Sequence, residues 1–352
     1  MTDETTADVG PPDERGDPES VWGRFVRWLA DLGFWTIFGG GIVLGFVADR
    51  YGFELLAFVC FLGAGLLPIL LGTVSREEHG YDYEVSNRER LRFVVSTLRW
   101  AITPWGLLAQ GLQLGGNVVP YLRYRGRLPD RDRHVPETAL TAPFDGEWTT
   151  VNGGVTAATS HSWGLVAQRY AYDFLVTDAD GETHAGDGAE LTDYYAFGKP
   201  IRAPAGGRVV AVADSLRDYP KPGSGWTEWR TGTITGNHVV IEHADGEYSL
   251  LAHLQQDSVP VAAGDRVERG EVVGRCGNSG NTGEPHLHYQ LQDHPNFWIA
   301  AGLVPRFRDV TVERDDDRAD EHEPYAERER RETVYLWAGD RVRAAGDESV
   351  GD

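Results

Sequence analysis

Two imidazoles stand two residues apart in Pro285-His286-Leu287-His288-Tyr289-Gln290. On an extended strand side chains alternate between faces, so His286 and His288 point the same way. A pair like that can share a metal ion, although plain surface histidines give the same spacing. The preceding loop, Gly277-Asn278-Ser279-Gly280-Asn281-Thr282-Gly283, has the glycines for tight turns and close backbone approach, so the pair emerges from a shaped rim. His253 ends the run Tyr248-Ser249-Leu250-Leu251-Ala252-His253-Leu254, where a histidine either bonds to backbone or faces a site. Asp173, in Gln168-Arg169-Tyr170-Ala171-Tyr172-Asp173-Phe174, is a carboxylate among aromatics. Such an acid needs a partner if it is buried, and Arg169 or a metal would serve. His161, twelve residues earlier, reads on its own as a loop histidine. His238 and His243 read as structural. His322-Glu323 lacks the second histidine of an H-E-x-x-H helix, which excludes a glutamate-base metalloprotease. With only Cys60 and Cys276, neither a disulfide scaffold nor a cysteine-only zinc cluster can form. Cys276 has no thiolate-stabilising neighbourhood in the sequence and reads as a small buried residue.

The elements that would hold these residues begin near Ala142. Short β-branched and aromatic runs at 208–214, 238–243, 248–254 and 287–291, separated by Gly, Asp, Asn and Pro, predict an antiparallel β domain over 140–312. Residues 313–352 are dominated by Asp, Glu and Arg and predict a solvated acidic tail, with 333–337 as a further strand candidate. Residues 1–20 are acidic and almost free of apolar side chains, which predicts a disordered lead without a signal peptide.

Between lead and β domain, 21–135, lie two uncharged runs, 32–48 (LGFWTIFGGGIVLGFVA) and 55–74 (LLAFVCFLGAGLLPILLGTV). Each approaches the span of a bilayer core and lacks the polar face of a globular helix. They predict a helical membrane hairpin, a multi-pass chain and membrane lipid as a partner. A third uncharged segment, 100–122, carries Pro104, Gln110, Gln113 and Asn117 and makes a poorer span, with an interfacial position as the alternative. Arg76, Arg88, Arg90, Arg92 and Arg99 follow the second run, whereas only Arg50 lies in the turn, so the positive-inside rule puts both hairpin ends in the cytoplasm. A third span would export the rest, yet leaves Arg123, Arg125, Arg127, Arg131 and Arg133 outside against the same rule. These signals oppose each other, and the side faced by the β domain stays open.

The 54 acidic residues against 33 basic ones give a formal charge of −21, which repels phosphate backbones and excludes nucleic acid as a partner. Lys199 and Lys221 are the only lysines. An acid-rich, lysine-poor chain suits concentrated salt, where self-repulsion is screened. Full stability in dilute buffer would contradict that expectation.

Taken in order, His161 and Asp173, then Phe197-Gly198-Lys199-Pro200-Ile201-Arg202-Ala203-Pro204-Ala205-Gly206-Gly207, Gly236-Asn237-His238-Val239-Val240-Ile241, Ala252-His253-Leu254, Val261-Ala262-Ala263-Gly264-Asp265-Arg266-Val267 and Pro285-His286-Leu287-His288 form a set. It resembles the lysostaphin-like zinc metallopeptidases, a family that holds many peptidoglycan endopeptidases, over residues 150–295. The resemblance implies a mainly β fold, an antiparallel metallopeptidase sheet preceded here by the membrane hairpin. It also implies Zn2+ held by His161, Asp173 and His288, with His253 and His286 as the catalytic pair beside the reacting water. Asn152 would match an asparagine that closes the metal site in latent members. One departure stands out: the family's usual spacing is His, three residues, Asp, and the residue four before Asp173 is Arg169. His161 would then reach in from a longer loop, with His134 and His184 as poorer substitutes.

Two imidazoles and one carboxylate leave a fourth position open, as catalytic zinc sites do. Zinc would lower the pKa of water toward roughly 7 and polarise a scissile carbonyl, while His253 and His286 exchange protons with it. The expected function is a membrane-anchored zinc endopeptidase acting on a peptide or cell-surface substrate. A catalytically inactive binding or adaptor domain of the same fold is one alternative. A biotinyl- or lipoyl-like barrel adaptor is another, suggested by Ala203-Pro204-Ala205-Gly206-Gly207 and Gly264-Asp265-Arg266-Val267. A carrier of that kind needs an exposed lysine at a hairpin tip, and neither lysine has that context.

Overall fold

The computed structural model describes residues 44, 47, 50–52, 87–156, 159–160, 162–314 and 333–344. The chain divides into two compact units, 1–75 and 76–352. In the first, Leu44, Val47 and Arg50 are helical and Tyr51 and Gly52 form a turn. The acidic lead and otherwise both expected spans, 32–48 and 55–74, lie outside the described residues. Among the described residues no helix is long and apolar enough to cross a membrane.

Among its described residues the second unit holds two α-helices, α1 (Asn87–Ala101) and α2 (Pro104–Arg123), and twelve strands. These are β1 (Glu147–Asn152), β2 (Tyr172–Leu175), β3 (Pro200–Arg202), β4 (Gly207–Ala213), β5 (Asn237–Ala244), β6 (Glu247–Leu254), β7 (Arg266–Val267), β8 (Val272–Arg275), β9 (Leu287–Gln292), β10 (Gly302–Leu303), β11 (Val310–Glu313) and β12 (Arg341–Ala344). The main sheet runs β11-β12-β1-β2-β9-β6-β5-β4-β7 with β10 added to β9, and β3 pairs with β8. Every strand pair is antiparallel, as the alternating short runs predict.

Strand parity sorts the side chains. Leu287, Tyr289 and Leu291 of β9 join Phe174, Val239, Ile241 and Leu251 in the main core. Leu250 and Ala252 of β6 face the other way, into a second cluster with Val240 and Phe297. All of β9 is buried, so its polar residues His288, Gln290 and Gln292 lie inside the protein and must find partners there.

Residues 100–122 form no third span. They are the end of α1 and most of α2, docked on the β domain. Thr103 caps α2 by accepting the Gly106 N–H at 3.0 Å, and Pro104 follows at the first turn, where a missing N–H costs nothing. Trp100 Nε1 donates to Thr231 O at 3.2 Å. Asn117 Oδ1 accepts the Val166 N–H at 3.1 Å. At Gly116 the helix meets Trp298 so closely that a Cβ would sit 1.8 Å from its carbonyl oxygen. Of the polar residues that made the segment a poor span, Gln113 and Asn117 are buried against the protein, and Gln110 donates to the carbonyls of Ala101 and Gly106.

The β domain also runs past its expected end at 312. Val334 exchanges two backbone hydrogen bonds with Phe307 (2.9 and 2.7 Å), and β12 inserts between β1 and β11. In Arg341-Val342-Arg343-Ala344 the charge-rich composition conceals a period of two. Val342 is fully buried, while Arg343 reaches Glu147 at 2.8 Å. Alternation, rather than charge content, decides that this part of the tail is sheet.

Candidate active site

Four neighbouring strands build one row. The register sets Asn152 of β1 opposite Asp173 of β2, Asp173 opposite His288 of β9, and His288 opposite Ala252 of β6. His253 follows Ala252 in β6, and His286 precedes β9 on the same parity as His288. Pairing therefore joins residues 115 positions apart in the chain, Asp173 and His288, without any loop having to place them.

His253 is held tightly. Its backbone has φ +61°, a left-handed conformation that a side-chain-bearing residue keeps only where its surroundings fix it. Its N–H donates to Thr235 O at 3.0 Å, its carbonyl accepts the Gly277 N–H at 3.0 Å, and its Nδ1 donates to Ser279 O at 2.8 Å. The loop carrying Ser279 can come this close because Gly236 has no side chain: a Cβ there would lie 2.2 Å from Ser279 O. Asn237 locks the same corner, donating to the carbonyls of Leu216 (2.7 Å) and Leu254 (3.1 Å) and accepting the Leu216 N–H (2.9 Å).

The hydrogen bonds also fix which ring nitrogens carry protons. Carbonyl oxygens only accept, so His253 is protonated on Nδ1 toward Ser279 O. His286 is protonated on Nδ1 toward Glu284 O at 2.9 Å. Each keeps Nε2 as an acceptor, and the two rings stand 4.7 Å apart between centroids. His288 is set from the opposite end of a relay. Gln292 Nε2 donates to His294 O (2.7 Å), so its Oε1 accepts from Gln290 Nε2 (2.5 Å). That turns Gln290 Oε1 toward His288 Nε2 (3.1 Å), which must donate. His288 Nδ1 is then left facing Asp173 Oδ1 at 2.8 Å, while Asn152 Nδ2 donates to Asp173 Oδ2 at 2.9 Å.

Two acceptors 2.8 Å apart repel unless a proton or a cation lies with them. An oxygen and a nitrogen donor, with the imidazole tautomer fixed by an outer hydrogen bond, suit Zn2+. Burial, reinforced by the neighbouring histidines, holds His253 well below the ordinary imidazole range, and burial also lowers His286. At His288 burial works in the same direction, but the hydrogen bond and charge of Asp173 outweigh it and raise the group. A metal ion at Nδ1 would have to displace that proton.

Asp173, His253, His286 and His288 are thus brought together, with Asn152 beside them. His161 lies outside the described residues. On its two sides, Thr159 O accepts the Gly153 N–H at 3.3 Å, one residue past Asn152, and Ser162 Oγ donates to Gln168 Oε1 at 3.4 Å. Among the described residues no three His, Cys, Asp or Glu side chains close around one ion position, and Asp173 and His288 supply two donors. Arg169 lies over the Trp163 ring at 5.0 Å, not against Asp173. His184 packs on Tyr194, centroids 5.1 Å apart, and the His134 N–H donates to Asp130 O. His238 and His243 bond to the carbonyls of Gly236 (2.8 Å) and Gly206 (3.0 Å), as structural histidines do. Cys276 is fully buried, and burial pushes its thiol far up, which fits a small core residue. Sequence reasoning missed Gln290 and Gln292, though their shared parity with His288 was a signal. It also missed Asn237 and Ser279 as supports of His253.

Residues 189–297 match the model for Peptidase family M23. Among curated proteins, the chain is 31% identical over 115 residues to the cell division protein DipM of Caulobacter vibrioides, covering 33% of this chain and 17% of that protein. It is 39% identical over 62 residues to the peptidoglycan DD-endopeptidase ShyA of Vibrio cholerae (18% and 14%). It is 38% identical over 90 residues to the DD-carboxypeptidase/endopeptidase Mpg of Neisseria meningitidis (26% and 18%). The chain thus matches less than a fifth of the length of each of these relatives. A solved zinc-containing peptidase from Vibrio cholerae aligns with TM-score 0.27 and 19% identity over 51% of this chain and 43% of that one. The matched region contains His253, His286 and His288, and begins after Asp173. Residues 189–297 are a lysostaphin-like Peptidase family M23 domain with peptidoglycan endopeptidases among its homologues.

Proposed function

We propose that the chain is a zinc-dependent endopeptidase that cuts a peptide bond of a cell-surface substrate and is anchored to a membrane through its apolar segments 32–48 and 55–74. The observation that carries the proposal is His288 Nδ1 lying 2.8 Å from Asp173 Oδ1, with the ring's Nε2 engaged by Gln290 Oε1 at 3.1 Å. Asp173 and His288 are two of the three ligands, and His161 is the third. The backbone of its loop, tied to Gly153 beside Asn152, supports that assignment.

Zinc bound there supplies Lewis acidity for a water and a carbonyl. Asn152 engages one carboxylate oxygen of Asp173 and leaves the other turned to His288. His253 and His286 are neutral near pH 7 because burial disfavours their charged forms, so each Nε2 accepts a proton from an attacking water. As an imidazolium, the same ring stabilises the oxyanion and returns the proton to the leaving amine. The fixed Nδ1 bonds keep both rings oriented throughout.

The test uses the full chain purified in detergent, assayed for zinc and for release of new amino termini from peptide-cross-linked cell-surface polymer. A chelator should abolish cleavage, zinc should restore it, and His161→Ala should lose the metal. Undiminished cleavage by the metal-free chain refutes zinc dependence. Zinc binding with no cleavage of any peptide-linked polymer favours a binding or adaptor role.

A further inference from the structure

We propose that the outward face of α2 lies on the surface of an anionic lipid bilayer, as an interfacial helix parallel to the membrane. The inference is independent of the peptidase assignment.

A helix on the surface of a soluble domain turns polar residues outward and apolar ones inward. In α2 the order is reversed. Trp105, Leu107, Leu108, Leu112, Val118 and Leu122 are each at least 41% exposed. The other exposed positions from 104 to 122 are proline or glycine, so no polar side chain interrupts the face. Polar Gln113 and Asn117 are on the buried side. At 100° per residue the exposed positions span an arc of about 160°. On α1 Leu91 and Val95 are exposed as well, as is Ile102 in the short turn that leads into α2.

Charge and aromatic placement decide between lipid and protein as the occupant. Within a chain of net charge −21, residues 87–133 carry nine arginines against three acids, Glu89, Asp130 and Asp132. Arg99 on one side of α2 and Arg125 and Arg127 on the other are exposed. Basic flanks are complementary to anionic headgroups. Trp105, exposed near the start of α2, is an amphipathic ring of the kind favoured at headgroup level. A protein interface of this extent would need hydrogen-bonding groups, about one per 100–200 Å2, and this face offers none. A uniformly apolar strip between arginines is the pattern of an interfacial helix, whose apolar face sinks roughly 5–10 Å into the headgroup and acyl boundary.

The full chain, reconstituted in phosphatidylglycerol vesicles whose acyl chains are brominated at carbons 6 and 7, tests this by tryptophan quenching. Trp105→Phe isolates the contribution of that ring from the other tryptophans. The wild-type minus Trp105→Phe emission should be strongly quenched by the brominated lipid and spared by aqueous iodide. Leu112→Cys carrying an environment-sensitive fluorophore should shift to the blue in the same vesicles. A Trp105 component open to iodide and untouched by bromine, with no shift at position 112, overturns the proposal. So does a concentration-dependent cross-link between Leu112→Cys copies, which would assign the face to a second chain.

Discussion

Replacing Gln290 by leucine keeps most of the side-chain volume and removes the acceptor that sets the His288 ring. The structure allows two responses. If Nε2 keeps its proton, a buried donor loses its partner, and Gln292 Oε1 loses the Gln290 amide as well. Each unsatisfied group costs about 1–3 kcal/mol, and in a domain of this size each kcal/mol lowers Tm by roughly 2–4 °C. If the proton moves to Nδ1, it bonds to Asp173 Oδ1 at 2.8 Å and relieves the strain at His288, but it occupies the lone pair proposed for the metal. Either way zinc affinity should fall, by about 10–100-fold for the loss of such an outer partner. Competition against a chromophoric chelator measures this directly. Gln290→Glu keeps an acceptor and should stay within a few-fold of the natural chain. Unchanged zinc affinity in Gln290→Leu, with melting also unchanged, would refute the relay.

His253→Ala should lower kcat by roughly 100–10,000-fold while zinc content stays at the natural level; loss of zinc would place His253 among the ligands instead. Burial pushes the Glu284 carboxyl up from 4.5 to about 7, with Thr183 and His184 offsetting only part of the effect. Between those values the folded chain holds a proton that the unfolded chain has released, so stability should fall as pH rises across the window, by up to about 3 kcal/mol. Glu284→Gln should flatten that dependence, and parallel denaturant midpoints for both proteins from pH 4.5 to 7 would contradict it. A chain stopped after residue 312 should lose cooperative unfolding and bind hydrophobic dye, whereas one stopped after 344 should melt like the natural protein. Equal melting of the two would show that β12 and the buried Leu336 and Trp337 contribute nothing.

Much of the site was legible from residue types and parity. The H-x-H pair faces one way because strands alternate, and Asp173 among aromatics announced a buried carboxylate in need of a partner. The register joining β2 to β9 was not legible, since cross-strand pairing between residues 115 apart leaves no local trace. Gln290 and Gln292 looked like ordinary polar strand residues because nothing in the sequence shows that both faces of β9 are covered. Charge content concealed β12, whose period of two is carried by Val342 and the small Ala344 alternating with two arginines. In segment 100–122 the lack of charge drew attention to hydrophobicity, whereas Gln113, Asn117 and Gly116 lie on the side of α2 that packs on the β domain near Val166 and Trp298.

Metal analysis of His288→Ala beside the natural chain tests the central claim most directly. With Asp173 left as the only described donor, the variant should purify with no bound zinc and show no cleavage, while the natural chain carries one zinc per molecule. Full zinc occupancy in His288→Ala would contradict the account.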